Sequence, residues 1–334
     1  MISATQTAKF CMRNIYIYKT ILAFLYIIAA GSCKIKQKVL SISINKSVVT
    51  DAVSSGSGLA YFNNAAYLVG DDASYIAVMP NTDSNVYTRI ALNTNAGIGR
   101  VEKAIKHDFE AALIGTIDKQ PFLFAFGSGS SSPYRDTMFA VDLKNNSISF
   151  KCSLLPLYKA IKTKAAIKDH ELNIEGAALA GEKLFLFNRG NNIAIIIAWA
   201  EFIKYIQKPI GLVPNFEFQK ISLPVVNNFS VGISGACAIN TNEILFTASL
   251  EETHDNIADG TIKGSYIGVL RLNKQNEISL GSLQQFKDAS GKIILDKLEA
   301  IEIIKQQGNS IQALAMADND DGKSKLFYLD IVRK

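Results

Sequence analysis

The chain of 334 residues is 48% hydrophobic and 19% charged, which excludes a disordered polymer and supplies enough apolar side chains for a large core. Its net charge of +5 gathers at the N-terminus: Lys9, Arg13 and Lys19 lie in the first 33 residues, where no acid occurs. Residues 34–334 keep 32 basic against 30 acidic side chains, a balance that offers nucleic acid no electrostatic footing.

Residues 1–33 read as an export signal. A basic start precedes an apolar run over residues 21–30, too short to span a bilayer, and then Gly31-Ser32-Cys33. Small residues directly before a cysteine resemble the lipobox of bacterial lipoproteins, in the looser form, with Ala30 replacing a larger aliphatic residue, found in Bacteroidota. The resemblance implies cleavage before Cys33, lipidation of Cys33 and a place in the bacterial cell envelope, held in the outer membrane by that lipid. An ordinary cleaved signal or a membrane anchor is the alternative. Cys152 and Cys237 remain in the body at 34–334, too few for a disulfide framework, and the apolar surroundings of Cys237 read as core.

The first predicted strand, 40–44, alternates polar and apolar residues (Leu40-Ser41-Ile42-Ser43-Ile44). A phrase then recurs five times, Glu or Ser followed by Gly or Ala and an apolar strand: Ser57-Gly58, Glu110-Ala111, Glu175-Gly176, Ser234-Gly235 and Glu299-Ala300, at spacings of 53, 65, 59 and 65. Each is followed by a second apolar run that ends in a polar cluster, and most units add two further strands. Four strands in 50 to 65 residues is the size of a propeller blade, so the expected fold is an all-β propeller of about five blades, six being the alternative. The last unit is one strand short. The strand at 40–44 is expected to complete it and close the ring, removing both free edges. Two stretches depart from the pattern: 157–170, lysine-rich, reads as a short helix or insertion, and 193–207 as a strand running into a helical turn.

If the first two strands of each blade are antiparallel, Glu110, Glu175 and Glu299 gather around one mouth of the central channel. Asp71, Asp72, Arg189, Glu251 and Asp318 join them from the following turns. Converging carboxylates repel unless a cation sits among them, and a hard divalent ion such as Ca²⁺ suits such a ring. The proposed metal set is Glu110, Glu175, Glu299 and Asp318. Arg135 and Arg189, with Asp71 and Glu251, form the candidate ligand-binding set, because a guanidinium binds an anion in two-pronged fashion; neutralising a nearby carboxylate is the alternative role of each arginine. The Ser/Gly run at 127–132 reads as a turn or an anion cradle. His254 stands in an acidic loop at 251–260, as general base or ligand, or within a plain polar loop. Zinc spacing, a nucleophile elbow and a dinucleotide fingerprint are all absent.

The phrase Asn173-Ile174-Glu175-Gly176-Ala177, with Glu110 and Glu299 in register, resembles the Glu-Gly phrases of phytase-like propellers with esterase-like activity. Residues 127–143 are similar to a stretch in uncharacterised propeller lipoproteins. The resemblance implies a calcium-dependent phosphoesterase; with His254 read from its acidic loop, the catalytic candidates are Glu175, Arg189 and His254. Ser57 and Ser234 replace the acid in two repeats, and no dense basic cluster serves a multiply phosphorylated substrate. Two functions therefore stand: a monomeric binding module for a small anion, a glycan or an envelope protein, and a calcium-dependent hydrolase. A glycosidase using paired carboxylates is a third.

Overall fold

Twenty strands form five antiparallel four-stranded sheets around one axis in the computed structural model, which describes residues 40–80, 85–92, 99–208, 212–253, 260–319 and 321–333. After β1 (Leu40–Thr50), blade one comprises β2 (Gly56–Phe62), β3 (Ala65–Gly70), β4 (Tyr75–Met79) and β5 (Thr88–Ala91). Blade two holds β6 (Phe109–Ile117), β7 (Gln120–Gly127), β8 (Thr137–Asp142) and β9 (Ser147–Ser153), and helix α1 (Leu155–Ala165) follows. Blade three is β10 (Ile174–Ala180), β11 (Lys183–Asn188), β12 (Ile193–Ala198) and β13 (Phe216–Lys220), with helix α2 (Trp199–Gln207) between its last two strands. A small hairpin, β14 (Val225–Val226) and β15 (Phe229–Ser230), leads to blade four: β16 (Gly232–Asn240), β17 (Glu243–Glu252), β18 (Thr261–Leu272) and β19 (Ile278–Gln285). Blade five contains β20 (Leu298–Gln307), β21 (Ser310–Asp318) and β22 (Ser324–Arg333).

The expected closure is present. β1 pairs antiparallel with β22 from Leu40↔Arg333 to Thr50↔Ser324 and so forms the outer strand of blade five. It runs six residues beyond the alternating stretch, past an irregularity between Ile44 and Lys46. Innermost strands β2, β6, β10, β16 and β20 touch in cyclic order, β20 returning to β2, which sets the blade number at five.

Apolar side chains pack between neighbouring blades. Trp199 opens α2, stands edge-on to Phe124 at 5.1 Å and donates its indole N–H to the Thr116 carbonyl at 3.1 Å. The ring fits because Gly115 has no side chain; a Cβ there would lie 2.4 Å from it. Helix α1 caps the seam between blades two and three, where the Tyr158 hydroxyl donates to the Gly127 carbonyl at 2.8 Å. Its lysines are used locally: Lys162 pairs with Asp169 at 2.7 Å and Lys164 donates to the Phe216 carbonyl.

The axis itself is closed by small residues. Gly58, Ala112, Gly176, Ala177, Gly235, Ala236 and Ala300 leave a remnant of about 10 Å³, the space of roughly one water. A Cβ on Gly235 would lie 2.7 Å from the Ala300 Cα and the Glu299 carbonyl, so backbone stands in its way. On Gly58 it would meet side-chain carbons at 3.1 Å or more. Gly235→Ala is therefore expected to destabilise by about 1–3 kcal/mol and Gly58→Ala by less, as read from urea unfolding midpoints; equal costs would show that the axis is not the tight point.

Candidate functional site

Each innermost strand begins with a β-bulge. Register breaks lie between Gly56 and Gly58, Phe109 and Ala111, Ile174 and Gly176, Ile233 and Gly235, and Leu298 and Ala300. The extra residue at each is the key residue of the repeat: Ser57, Glu110, Glu175, Ser234 and Glu299. A bulge leaves one residue outside the ladder and re-aims its side chain. Serine and glutamate use this freedom differently. Ser57 donates to the Phe109 carbonyl and Ser234 to the Leu298 carbonyl at 2.5 Å, so each serine ties its blade to the next, just ahead of that blade's glutamate. The three glutamates line the mouth instead, above the closed axis.

The mouth is a basin of about 300 Å³. Its charged groups form two arcs. In the first, Lys106 contacts Asp71 and lies 2.7 Å from Asp108, while Arg135 donates to Asp108 at 2.9 Å and to Ser130 Oγ at 3.0 Å. In the second, Arg189 donates through Nη1 to both oxygens of Glu175 at 3.0 and 3.2 Å, and through Nη2 to Ser249 Oγ at 2.9 Å and to Glu251. Lys297 bridges Glu251 at 3.1 Å and Glu299 at 2.9 Å.

With Glu110 beside Asp71 and Asp108, each arc holds three carboxyls against two cations, and Lys103 and Asp318 also line the basin. When all are ionised, one negative charge per arc has no counterion, and burial makes that charge costly. Burial raises two carboxyls in each arc, Asp71 and Glu110 in the first and Glu175 and Glu299 in the second. Burial, reinforced by Asp108 and Asp71, holds the Glu110 carboxyl well above the usual range, and no cation or hydrogen-bond donor touches it among the described residues. In the second arc burial pushes Glu299 up to about 8, with Glu175 adding to the effect and Lys297 opposing it. Burial also opposes ionisation of Asp108 and Glu251, yet Lys106 holds the first below its ordinary value and Arg189 the second. Oδ1 of Asp71 is buried and accepts no hydrogen bond.

The structure brings Asp71, Glu110, Arg135, Glu175, Arg189, Glu251, Glu299 and Asp318 to one basin. Asp72 turns aside to Arg100 at 2.7 Å. His254 lies outside the described residues, as does Cys33. Arg135 and Arg189 both neutralise carboxylates, the second of the roles open to them. The run at 127–132 turns inward: the Ser128 amide donates to the Asp108 carbonyl and the Gly129 amide to that of Arg135. Sequence reasoning missed Lys106, Asp108 and Lys297. The signal for two of them is visible in retrospect: each glutamate phrase has a polar residue two places earlier, in Asp108-Phe109-Glu110, Asn173-Ile174-Glu175 and Lys297-Leu298-Glu299. Two residues along a strand share a face, so Asn173 reaches Glu175 at 2.6 Å and Lys297 reaches Glu299.

Residues 52–331 match a family of unknown function, DUF6929, and the chain belongs to that family. No curated protein matches it. Among solved structures, the major allergen Mala s 1 of Malassezia sympodialis is similar at 12% identity and a TM-score of 0.53, over 86% of this chain and 97% of the allergen. Glutaminyl cyclase of Myxococcus xanthus is 10% identical, with a TM-score of 0.46 over 89% of this chain and 98% of the enzyme. The likeness to the allergen is one of fold, the β-propeller.

Glu299 holds a proton in the folded protein at pH values where the unfolded chain has lost it. A raised carboxyl of this kind stabilises the fold at low pH, and its contribution disappears as pH rises through about 8. Glu302, lower on the same strand and pushed up to about 7 by burial, acts in the same sense. Stability is expected to fall from about pH 5 to about pH 9, and Glu299→Gln to make that slope shallower; an unchanged slope in thermal melts would show that Glu299 is ionised throughout.

Proposed function

We propose that this chain is an envelope-anchored binding module whose ligand, a small polar molecule, lodges in the basin at the channel mouth. One observation carries the reading: a concave site of about 300 Å³, lined by charged residues, serines, asparagines, a threonine and glycines, and floored by a closed axis. That volume lies at the lower end of the range for small-molecule sites. The floor makes the basin a receptacle and not a passage.

Calcium binding, and with it a calcium-dependent phosphoesterase, is a second reading favoured by one feature. Oxygens of Asp71, Asp108 and Glu110 all lie within 4.8 Å of one another. Only Glu110 belongs to the metal set read from the sequence, since Glu175 and Glu299 already engage Arg189 and Lys297. Against the metal stands the Lys106 ammonium, in contact with two of the three carboxylates. Breaking such a buried pair costs about 3–5 kcal/mol, which the coordination would have to exceed.

Anchoring is proposed from the export signal and the lipobox-like Gly31-Ser32-Cys33. In a bacterial host, Cys33→Ser should move the protein from the membrane to the soluble fraction; retention in the membrane would refute lipidation at this cysteine. For the basin, Ser230 is an exposed lining residue on the small hairpin, so Ser230→Trp obstructs the mouth without touching the core. Small polar solutes that raise the melting temperature of the wild type should lose that effect in Ser230→Trp. Stabilisation that survives in the variant would place binding elsewhere.

A further inference from the structure

We infer that the ligand of this basin is a small polyhydroxy carboxylate, of the sugar-acid class, whose carboxylate docks on Lys103 and the free edge of Arg135. The inference rests on the basin being the binding site and adds the ligand's charged group, its anchors and the side of the mouth on which it lies.

Two cations of the lining have donors to spare. Lys103 lines the basin, is exposed and meets no carboxylate or hydrogen-bond partner among the described residues. Arg135 is held through Nη1 alone, by Asp108 at 2.9 Å and by Ser130 Oγ at 3.0 Å. Its Nη2 and Nε atoms have no partner among the described residues, and neither is buried. That edge of the guanidinium presents two parallel N–H donors, the pattern a carboxylate accepts with both oxygens. The two cations come from touching segments: Lys103 from the connection that leads into β6 and Arg135 from the turn after β7, which meet where His107 Nδ1 lies 3.1 Å from the Tyr134 carbonyl. Recruiting them breaks no existing pair, because Asp108 keeps Arg135 Nη1 and Lys106. Nor is the local field an obstacle, since Lys103, Lys106 and Arg135 face at most three charged carboxyls, those of Asp71, Asp108 and Glu110. In the second arc Arg189 and Lys297 each already hold two carboxylates, so the first arc is the side on which an anionic group docks.

The hydroxyls follow from the rest of the lining. No aromatic or aliphatic side chain borders the basin among the described residues, so neither a ring face nor a hydrocarbon chain finds a packing partner. Polar groups with free capacity lie instead across the mouth. Asn228 and Ser230, on the hairpin that leads into blade four, make no side-chain hydrogen bond among the described residues. Asn173, at the start of blade three, engages Glu175 through Nδ2 and keeps Oδ1 free. Lys103 and Arg135 stand at blade two, so a ligand that reaches both sides carries donors and acceptors along a chain away from its carboxylate, as a row of hydroxyls does.

Titration calorimetry of the full chain in detergent tests the inference, with sodium gluconate as probe and sorbitol, sodium acetate, glycerophosphate and calcium chloride as comparators. Gluconate is expected to bind. Sorbitol, which lacks the carboxylate, and acetate, which lacks the hydroxyls, should bind at least about tenfold more weakly. Lys103→Glu should weaken gluconate binding about tenfold or more and leave the melting temperature unchanged, because Lys103 is exposed and unpartnered in the fold. Arg135→Lys, which keeps a charge beside Asp108 and removes the two-pronged edge, should weaken it to a similar extent. Should Arg135→Lys fail to fold, Lys103→Glu still decides. Gluconate affinity unchanged in Lys103→Glu, or matched by sorbitol, would overturn the inference. Glycerophosphate binding without gluconate binding would overturn it in favour of a phosphate ester, which offers the same anionic oxygens, and calcium binding alone in favour of a metal. If no probe binds but Ser230→Trp still abolishes stabilisation by other solutes, the carboxylate inference fails while the basin stands. If neither occurs, both fall.

Discussion

Crowding at the axis is the constraint on which the rest of the structure depends. Five strands converge on one line, and below their first residue the lining is mostly glycine and alanine, with Leu59 and Ile301. The Cβ that Gly235 lacks would lie 2.7 Å from the backbone of the next blade, a contact that a folded chain does not tolerate. Small residues therefore dominate the channel below its mouth. At the mouth the bulge takes one residue of each strand out of the ladder, so that the place where the repeat carries Glu or Ser is also the place where the backbone can re-aim a side chain.

The same crowding forces acids together, and the molecule answers with cations drawn from the connections between blades. Lys106 precedes the inner strand of blade two and Lys297 that of blade five, while Arg135 and Arg189 come from turns after second strands. Charges this deeply placed are stable only as pairs. Three carboxyls with two cations in each arc leave a negative charge in excess, and burial raises Asp71 and Glu110 in the first arc and Glu175 and Glu299 in the second. The basin thus combines a rigid floor with fixed ion pairs.

The ring holds this arrangement from outside. Closure by β1 against β22 runs eleven residues of the N-terminal strand along the C-terminal one, so blade five cannot separate without losing that whole ladder. Between blades two and three, Trp199 fills the space left by Gly115 and α1 packs into the seam. Precise placement of the three glutamates at the mouth depends on the blades keeping these relative positions.

Much of the architecture was legible in the residues alone. Alternation at 40–44, the small residue after each key position and the polar turn after each second strand report local geometry, and local geometry repeated five times implies a ring. The helices at Leu155–Ala165 and Trp199–Gln207 fell where the repeat was interrupted, and the three mouth glutamates were identified because they share one place in it. Of their partners, Asn173 and Lys297 stand two residues before a glutamate, where Asp108 stands in blade two, whereas Lys106 and Arg189 pair across blades or turns. Lys106, Asp108 and Lys297 lie in connections of unequal length, and which carboxylate each meets depends on how neighbouring blades stand to one another. Sequence by itself determined the fold and the convergence of acids, since both follow from periodic local rules. Only the tertiary structure decided most of the pairings, because the contacts of Lys106, Arg189 and Lys297 with Asp71, Glu175 and Glu251 depend on distances between segments far apart in the chain.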